Sequence, residues 1–320
     1  MLGRKVLYYD SDEAACLMAQ RAIVAAGCEA TVVHDAAAVA DLDLAAHDIV
    51  VLTTDEAAAS HHETIFDRAG ALFPRTRLVL HACQQDHQCV EWMAQRSALS
   101  HVIAKRDEPL DAMELTVTIA KLRRGDHFGL DKYLPWGVDT HRIGVRDSRD
   151  KAQYVREASA LVNRLGCSER VVELVETVVD ELSTNAIFNA PQDASGRPRY
   201  AHLSRREAVA LEEREVAELI YAIDGSYFAV AQRDPFGALT RETVVTYLDR
   251  CLDQAPDQQP GAGGAGMGLF RAYRALSKLI FNIRPGVMTE VIGLIDLRQP
   301  IKHFKMQPKS LHFFVEEAQP

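Results

Sequence analysis

Short apolar runs alternate with helical patterns over the first 124 residues of the chain. Five of these runs have the length and composition of buried strands: Lys5–Tyr9, Ala30–His34, Ile49–Thr53, Arg77–Ala82 and His101–Lys105. Alanine-rich or amphipathic segments separate them, and the first of these segments ends at Gly27, a residue type that often stops a helix. Buried strands that alternate with helices predict an α/β domain with a parallel, doubly wound sheet over residues 1–124.

The pattern changes after residue 124. Residues 125–140 hold three glycines and one proline with little periodicity, and they predict a linker. Two helical segments follow, at Arg149–Leu165 and Ser168–Ala190. Beyond them, the strand-like runs are joined by short turns, which predicts that residues 141–320 form a second α/β domain with an antiparallel sheet.

Two dipeptides predict tight hairpins in this second half. Asp224-Gly225 stands between two strand-like runs and is among the strongest short hairpin signals. Pro285-Gly286 stands between two further runs, which end near Leu297. A last strand-like run, Leu311–Val315, predicts pairing with a sheet edge or with a partner.

The helical segment before Pro191 carries an unusual polar face. Its apolar residues keep helical spacing and predict a buried stripe: Val171, Val175, Val178, Leu182 and Ala186. Glu181, Asn185 and Asn189 lie four residues apart, so they share one face and can converge on one ligand. Asparagine is a poor helix former, which favours selection for a purpose other than helicity. Spacing alone leaves two alternatives open, a ligand site or a solvated polar stripe.

Residues 261–270 read GAGGAGMGLF, with five glycines among eight residues. A phosphate-binding loop, a dinucleotide fingerprint and a flexible linker are the three alternatives. Gly261, Gly263 and Gly266 fit G-x-G-x-x-G, but that fingerprint must follow a strand directly. The preceding residues DQAPDQQP are polar and loop-like, which excludes the dinucleotide fingerprint and leaves the other two alternatives.

The residues ELSTNAIFNA, at positions 181–190, resemble the N-box of the GHKL ATPase superfamily, which includes sensor histidine kinases, Hsp90, type II topoisomerases and anti-sigma-factor serine kinases. The resemblance implies that Asn185 ligates the Mg²⁺ of a bound nucleotide, and the helical spacing assigns Asn189 to the same site. It also implies that Glu181 is the general base. Both roles are chemically reasonable, because Mg²⁺ prefers oxygen ligands and a carboxylate can accept a proton from a nucleophile.

Further segments of the family follow in the family's order. AVAQRDPFGAL offers Asp234 and Gly237 for adenine binding, although two residues separate them where the family has one. Asp224-Gly225 is an alternative candidate for adenine binding, but a hairpin turn already explains the presence of these two residues. PGVMTEVIGLI is similar to the closing hairpin of the family, whose threonine, here Thr289, lies near the phosphates or the adenine.

The glycine-rich stretch resembles the family's phosphate-covering loop, with Gly264, Gly266 and Gly268 as its core. Backbone N–H groups and the start of the following helix would offer positive potential to phosphate oxygens. The resemblance covers roughly residues 141–298 and implies a GHKL ATP-binding domain, with ATP and Mg²⁺ as cofactors.

The layout before the N-box is most similar to that of the anti-sigma-factor serine kinases. No dimerising helical hairpin with a phosphoacceptor histidine precedes it, since His141 begins a predicted strand. Residues Gln192–Arg214 resemble an insertion relative to compact members. The resemblance implies an ATP-dependent kinase that phosphorylates a serine or threonine of a partner protein in a signalling pathway. The alternative is a nucleotide-gated adaptor or sequestering module without turnover.

The first half resembles a response-regulator receiver domain whose acidic site is degenerate. Asp10 matches one acid of the family, and Lys105 matches its lysine. Thr53 stands at the phosphoacceptor position, and His81 replaces the small hydroxyl residue. Without a carboxylate at position 53 an acyl phosphate cannot form there. We therefore expect a pseudo-receiver that serves interaction or dimerisation, with a homodimer as one outcome.

Composition limits the range of partners. The chain has 320 residues, is 48% hydrophobic and carries a net charge of −9, which argues against general binding to nucleic acid or anionic lipid. No apolar run is long enough to span a bilayer, and acidic residues follow the first strand too closely for a signal peptide. The six scattered cysteines predict reduced thiols and a cytoplasmic location.

The stretch HACQQDHQC, at residues 81–89, contains two histidines and two cysteines that could bind zinc. Their spacing matches no common zinc motif, so cysteines that pack as small apolar residues are favoured.

Overall fold

The computed structural model describes residues 4–35, 38, 41–54, 59–82, 86–105, 111–253, 267–298 and 307–316. These residues form a mixed α/β structure with eight α-helices and eleven strands, so the predicted α/β class is confirmed. The chain divides into two compact units. Unit 1 comprises Met1–His127 with Gln307–His312, and unit 2 comprises Phe128–Met306 with Phe313–Pro320.

Unit 1 is built on a parallel sheet. Its strands are β1 (Lys5–Tyr9), β2 (Glu29–Val33), β3 (Ile49–Thr54), β4 (Arg77–Ala82) and β5 (Leu99–Ala104). Its helices are α1 (Glu13–Ala25), α2 (Ala59–Ala71), α3 (Asp86–Gln95) and α4 (Ala112–Arg124). The strands lie in the order β2-β1-β3-β4-β5 and all neighbouring pairs are parallel, which confirms the predicted parallel pairing. β3 is buried at every residue, as expected where helices cover both faces of a parallel sheet.

Unit 2 is built on an antiparallel sheet. Its strands are β6 (His141–Val145), β7 (Ala217–Ile223), β8 (Tyr227–Asp234), β9 (Lys278–Arg284) and β10 (Met288–Asp296). Its helices are α5 (Lys151–Arg164), α6 (Glu169–Thr184), α7 (Arg241–Asp253) and α8 (Met267–Ala275). The strands lie in the order β9-β10-β8-β7-β6. All neighbouring pairs are antiparallel, which confirms the predicted pairing of the second half.

Both predicted hairpins are present in unit 2. The first joins β7 to β8 through Asp224-Gly225, where Gly225 has a φ of 86° and the Asp224 carboxylate accepts a hydrogen bond from the Ser226 N–H at 2.8 Å. The second joins β9 to β10 through Pro285-Gly286, where Gly286 has a φ of 71°. Positive φ angles suit glycine, so local turn chemistry explains both connections.

The segment predicted as a linker, residues 125–140, makes specific contacts with other parts of the chain. α4 ends at Gly125, which has the left-handed conformation typical of a helix stop. Leu130 and Leu134 are buried, and the Gly129 N–H donates to Glu290 Oε2 at 2.8 Å. Most of this segment therefore packs within unit 2.

The last strand, β11 (Ser310–Val315), contributes residues to both units. In unit 1, Leu311 and His312 pair antiparallel with β5. In unit 2, the Phe313 ring stacks on the Phe281 ring with 4.9 Å between ring centres. The predicted pairing of this run with a sheet edge is confirmed.

The described residues contain no helix long and apolar enough to cross a membrane.

Candidate functional site

The polar face predicted before Pro191 lies on α6 and the turn that continues it. Val175, Val178 and Leu182 are buried, which confirms the central part of the predicted apolar stripe. Residues Asn185–Asn189 form a π-type turn in which the Ala190 N–H donates to the Asn185 carbonyl at 2.9 Å. Such turns are rare and are often found at functional sites.

The two asparagines of this face are in direct contact. Asn189 Nδ2 donates to Asn185 Oδ1 at 2.8 Å. Both residues are half-buried, so their remaining polar capacity is accessible to a ligand. The carbonyl oxygen of an amide has two lone pairs, and Asn185 Oδ1 uses one of them for Asn189. The other is available to a cation or a donor.

Glu181 lies against the start of α8. Its Oε1 pairs with Arg271 Nη1 at 3.2 Å, and its side chain is 13% exposed. A β-carbon on Gly268 would come within 2.1 Å of Glu181 Oε2, so a larger residue at position 268 would displace the carboxylate. Gly268 therefore allows the first turn of α8 to approach α6. Gly264 and Gly266, predicted for the same loop, lie outside the described residues.

Asp234 ends β8 and stands opposite Thr289 of β10 in the strand register. The Asp234 carboxylate accepts a hydrogen bond from the Phe236 N–H at 3.0 Å. Burial raises the pKa of Asp234 to about 6, although the N–H groups of Phe236 and Gly237 and the Thr289 hydroxyl act in the opposite direction. Among the described residues no cation offsets the burial, which is why the pKa lies above that of an ordinary aspartate.

Thr289 Oγ1 is buried beside this carboxyl group. The residue is 2% exposed, and among the described residues Oγ1 has no partner at hydrogen-bonding distance. The hydroxyl is thus close enough to lower the pKa of Asp234, but it does not meet the geometric criteria of a hydrogen bond. A buried hydroxyl without a partner is costly, and a ligand atom could satisfy it.

Gly237 holds the loop after Asp234 against the β9–β10 turn. Its φ is +61°, and a β-carbon there would lie 2.1 Å from the Arg284 carbonyl oxygen and 2.7 Å from the Val287 nitrogen. The Gly286 N–H donates to the Gly237 carbonyl at 3.2 Å. Both the backbone angle and the close approach require glycine, so the Asp-Pro-Phe-Gly spacing serves this contact.

The structure thus forms two groups of predicted residues within unit 2. Asn185 and Asn189 form one group with Glu181 and Gly268, and Asp234, Gly237 and Thr289 form the other. α6 packs against β8 and β10, the strands that carry the second group, and against α8. Among the described residues, no hydrogen bond joins the two groups.

Two basic residues at this face, and a third beside it, were missed by the sequence reasoning. Arg271 pairs with Glu181, and Arg205 Nη2 donates to Asn189 Oδ1 at 2.9 Å. Lys151 Nζ donates to Thr184 Oγ1 at 2.9 Å and pairs with Asp180 at 2.8 Å. No local pattern indicates these contacts, because they join segments far apart in the sequence.

In unit 1, Asp10 lies where the receiver resemblance places an acid, and it is fully buried. Lys105 Nζ donates to both carboxylate oxygens at 2.9 Å, and Thr53 Oγ1 donates to Oδ2 at 3.0 Å. Burial alone would raise the pKa of Asp10, but Lys105 and the Asp12 N–H hold it below its usual value. The chain itself satisfies this carboxylate.

Two more side chains complete this cluster. Tyr8 OH lies 3.1 Å from Asp10 Oδ2 and 3.0 Å from His81 Nδ1. Burial and the nearby Lys105 lower the pKa of His81 to about 4, so the imidazole is neutral at physiological pH. Of the zinc candidates, His81 therefore belongs to this cluster, Cys89 is buried, and Cys83 lies outside the described residues.

No model of a known protein family matches the chain, and no curated protein matches it significantly.

Proposed function

We propose that unit 2 is a GHKL-type domain that binds ATP with Mg²⁺, and that the chain is a signalling regulator. Its proposed activity is that of the anti-sigma-factor serine kinases, phosphorylation of a serine or threonine of a partner protein. The observation that carries the proposal is the Asp234–Thr289 pair, which lies on strands packed against α6, the helix that bears Glu181 and continues into the turn with the two asparagines.

The chemistry of the second group suits adenine. A carboxylate can accept a hydrogen bond from the exocyclic amino group of the base. The buried Thr289 hydroxyl has no other partner among the described residues and can donate to a ring nitrogen or to a bridging water. Because an aspartate at a raised pKa still ionises near neutral pH, Asp234 is available as an acceptor under physiological conditions.

The chemistry of the first group suits a magnesium-bound phosphate chain. Asn185 would hold Mg²⁺ through its amide oxygen, which is a hard donor without the charge that repels phosphate. Bound ATP would supply the phosphoryl group. Arg205 and Arg271 place positive charge at the same face, where it would favour a polyanion.

Glu181 would act as the general base. Its carboxylate would accept the proton of the partner's serine or threonine hydroxyl as that oxygen forms a bond to the γ-phosphorus, and the bond from this phosphorus to ADP would break. In the structure the carboxylate is engaged by Arg271 at 3.2 Å. The Arg271 side chain is 63% exposed, so it can turn towards solvent and free Glu181.

Unit 1 would serve as the pseudo-receiver of this regulator. Its strand order, β2-β1-β3-β4-β5, is that of flavodoxin-like doubly wound sheets, the group to which receivers belong. The Asp10 carboxylate is saturated by Lys105, Thr53 and Asp12, and this supports a module that works without bound metal or phosphate.

The second candidate is a nucleotide-gated adaptor without turnover. The Glu181–Arg271 ion pair favours it, because an engaged carboxylate is a poorer base. In this case the same residues would bind nucleotide, and the bound state would control access to a partner.

Glu181→Gln separates the two candidates. The chain is incubated with Mg-ATP and fractions of candidate partners, and ADP release and protein phosphorylation are measured. Glu173→Gln is the matched control, since Glu173 is an exposed residue of the same helix that pairs with Arg170. A kinase predicts activity that Glu181→Gln abolishes and Glu173→Gln retains. Nucleotide binding with equal, negligible ADP release from all three proteins would contradict the kinase and favour the adaptor.

A further inference from the structure

Three side chains form a directed hydrogen-bond chain at the N-box face. Arg205 Nη2 donates to Asn189 Oδ1 at 2.9 Å, and Asn189 Nδ2 donates to Asn185 Oδ1 at 2.8 Å. This series of hydrogen bonds begins in the segment 192–214, which the family resemblance marks as an insertion, and it ends at Asn185, the proposed Mg²⁺ ligand.

The chemistry of arginine fixes the direction of this chain. A guanidinium has only donors, so the Asn189 amide must present its oxygen to Arg205. The Asn189 nitrogen then faces Asn185, and Asn185 must present its oxygen in return. Without a donor-only residue at the head of the chain, both amides could turn over and place nitrogen where oxygen now stands. An amide nitrogen cannot bind Mg²⁺.

Besides its hydrogen bond to Asn189, Arg205 stacks on an aromatic ring. Its guanidinium carbon lies 4.6 Å from the centre of the Phe188 ring, and Phe188 is buried in the π-type turn. Such stacking restricts a long side chain that would otherwise move freely. Although Arg205 is an exposed residue, partial burial of its guanidinium lowers the pKa of that group, and the Glu181 carboxylate acts in the opposite direction.

We propose that Arg205 is a positioning residue that sets the Asn185 amide with its oxygen available for Mg²⁺. The inference rests on the proposed function and deepens it, because it assigns part of the insertion to the nucleotide site. Arg205 acts through Asn189 and need not touch the nucleotide.

The test compares Arg205→Gln with Arg205→Lys. Glutamine can both donate and accept, so it no longer dictates the amide orientation, whereas lysine remains a donor without an acceptor. Arg206→Gln is the control for loss of a neighbouring exposed arginine. ATP affinity is titrated by calorimetry with and without Mg²⁺. Removal of a residue that supports a metal ligand typically lowers metal affinity about 10–100-fold. We therefore expect Arg205→Gln to reduce the Mg²⁺-dependent gain in ATP affinity by about tenfold or more.

In the same titrations Arg205→Lys should retain most of the gain, and Arg206→Gln should retain all of it. A nucleotide-free measurement accompanies the titrations. In ¹⁵N-asparagine-labelled protein, the Asn189 side-chain amide protons should exchange with solvent faster in Arg205→Gln than in the parent. Thermal unfolding of each variant shows whether the fold is intact.

The outcomes distinguish the inference from the function on which it rests. If the parent binds Mg-ATP and Arg205→Gln shows the parent's Mg²⁺-dependent gain and amide exchange, the inference is overturned and the proposed function stands. If the parent binds no nucleotide with or without Mg²⁺, the proposed function fails and the inference fails with it. A reduced gain and faster amide exchange in Arg205→Gln alone would support both.

Discussion

Two aspartates of this chain have opposite electrostatic environments. Lys105 and Thr53 surround Asp10 with donors, and Lys105 adds a positive charge, so its pKa lies below the usual value despite full burial. Within the part of the chain that the structure describes, the donors to Asp234 are neutral, and burial raises its pKa to about 6. A satisfied carboxylate stabilises a fold, whereas a carboxylate with a raised pKa is typical of a site that awaits a ligand.

The affinity for adenine nucleotide should therefore fall as pH is lowered through about 6. Below that pH the Asp234 carboxyl is protonated and accepts less well from the adenine amino group. The stability effect has the opposite sign: a raised pKa favours the protonated form in the folded state, so Asp234 costs stability as pH rises between the ordinary aspartate value and about 6. Calorimetric titration with Mg-ATP from pH 5 to 8 measures the first effect.

Asp234→Asn is the matched variant for this titration, because it removes the ionisation and keeps the size of the side chain. It should bind more weakly at pH 7.5 and lose the step near pH 6. A parent whose pH profile matches that of Asp234→Asn would show that this carboxyl does not contact the base.

Single residues also mark the limit of what the sequence could indicate. The spacing of Glu181, Asn185 and Asn189 was visible because helical periodicity is local. The contacts of Arg205 and Arg271 were not, because they join residues 16 and 90 positions apart in the chain. The Thr289 hydroxyl, which has no hydrogen-bond partner among the described residues, is buried between neighbouring strands, and a sequence pattern does not specify such burial.

At the scale of elements, the β9–β10 turn and the loop after Asp234 are locked together through backbone contacts. Gly237 requires glycine for its positive φ and for its closeness to the Arg284 carbonyl. Gly286, in the turn itself, has a similar φ of 71° but open space around it. Substitutions at these two glycines therefore separate the energetic cost of the left-handed backbone from the cost of the steric contact.

Gly237→Ala should destabilise unit 2 much more than Gly286→Ala. The left-handed conformation costs a non-glycine residue about 1–2 kcal/mol, and this cost applies to both variants. At position 237 the added methyl group also forces the backbone apart, so we expect a total of about 3 kcal/mol or more. Differential scanning calorimetry measures the difference. Equal losses would contradict the close contact.

The elements themselves were largely predictable, since the strands follow from short apolar runs and the hairpins from turn dipeptides. The end of the helix that carries Glu181 was not. Ser168–Ala190 was predicted as one helical segment, whereas α6 ends at Thr184 and a π-type turn follows. The Asn185–Asn189 contact, which the four-residue spacing predicted, is made across this turn and not within a continuous α-helix.

At the scale of the whole molecule, the C-terminal strand completes the sheet edge of unit 1. Ser310 Oγ accepts from the Ala104 N–H at 3.0 Å across 206 residues of sequence. His312 Nε2 lies 3.0 Å from Glu114 Oε1, and both side chains are buried. The sequence showed that a strand was present near the C-terminus, but strand partners this distant cannot be specified by local pattern.

His312→Leu should lower the free energy of unfolding of unit 1 by about 2 kcal/mol, because the buried Glu114 carboxylate loses this partner. His312→Gln should lose less, since its amide can still donate. Trp92, in α3, reports unit 1 by fluorescence, and Trp136→Phe removes the other tryptophan, which is fully exposed. Urea unfolding in that background measures both variants. Identical midpoints for His312→Leu and the parent would show that the contact contributes nothing.

The central claim concerns one ligand, Mg-ATP in unit 2. The most direct test is calorimetric titration of the whole chain with ATP and with GTP, each with and without Mg²⁺. Asn185→Ala is compared with Asn163→Ala, an exposed asparagine of α5. We predict binding of ATP in preference to GTP, strengthened by Mg²⁺ in the parent and in Asn163→Ala, with that strengthening lost in Asn185→Ala. No heat of binding for either nucleotide, or a Mg²⁺ effect unchanged by Asn185→Ala, would contradict the account.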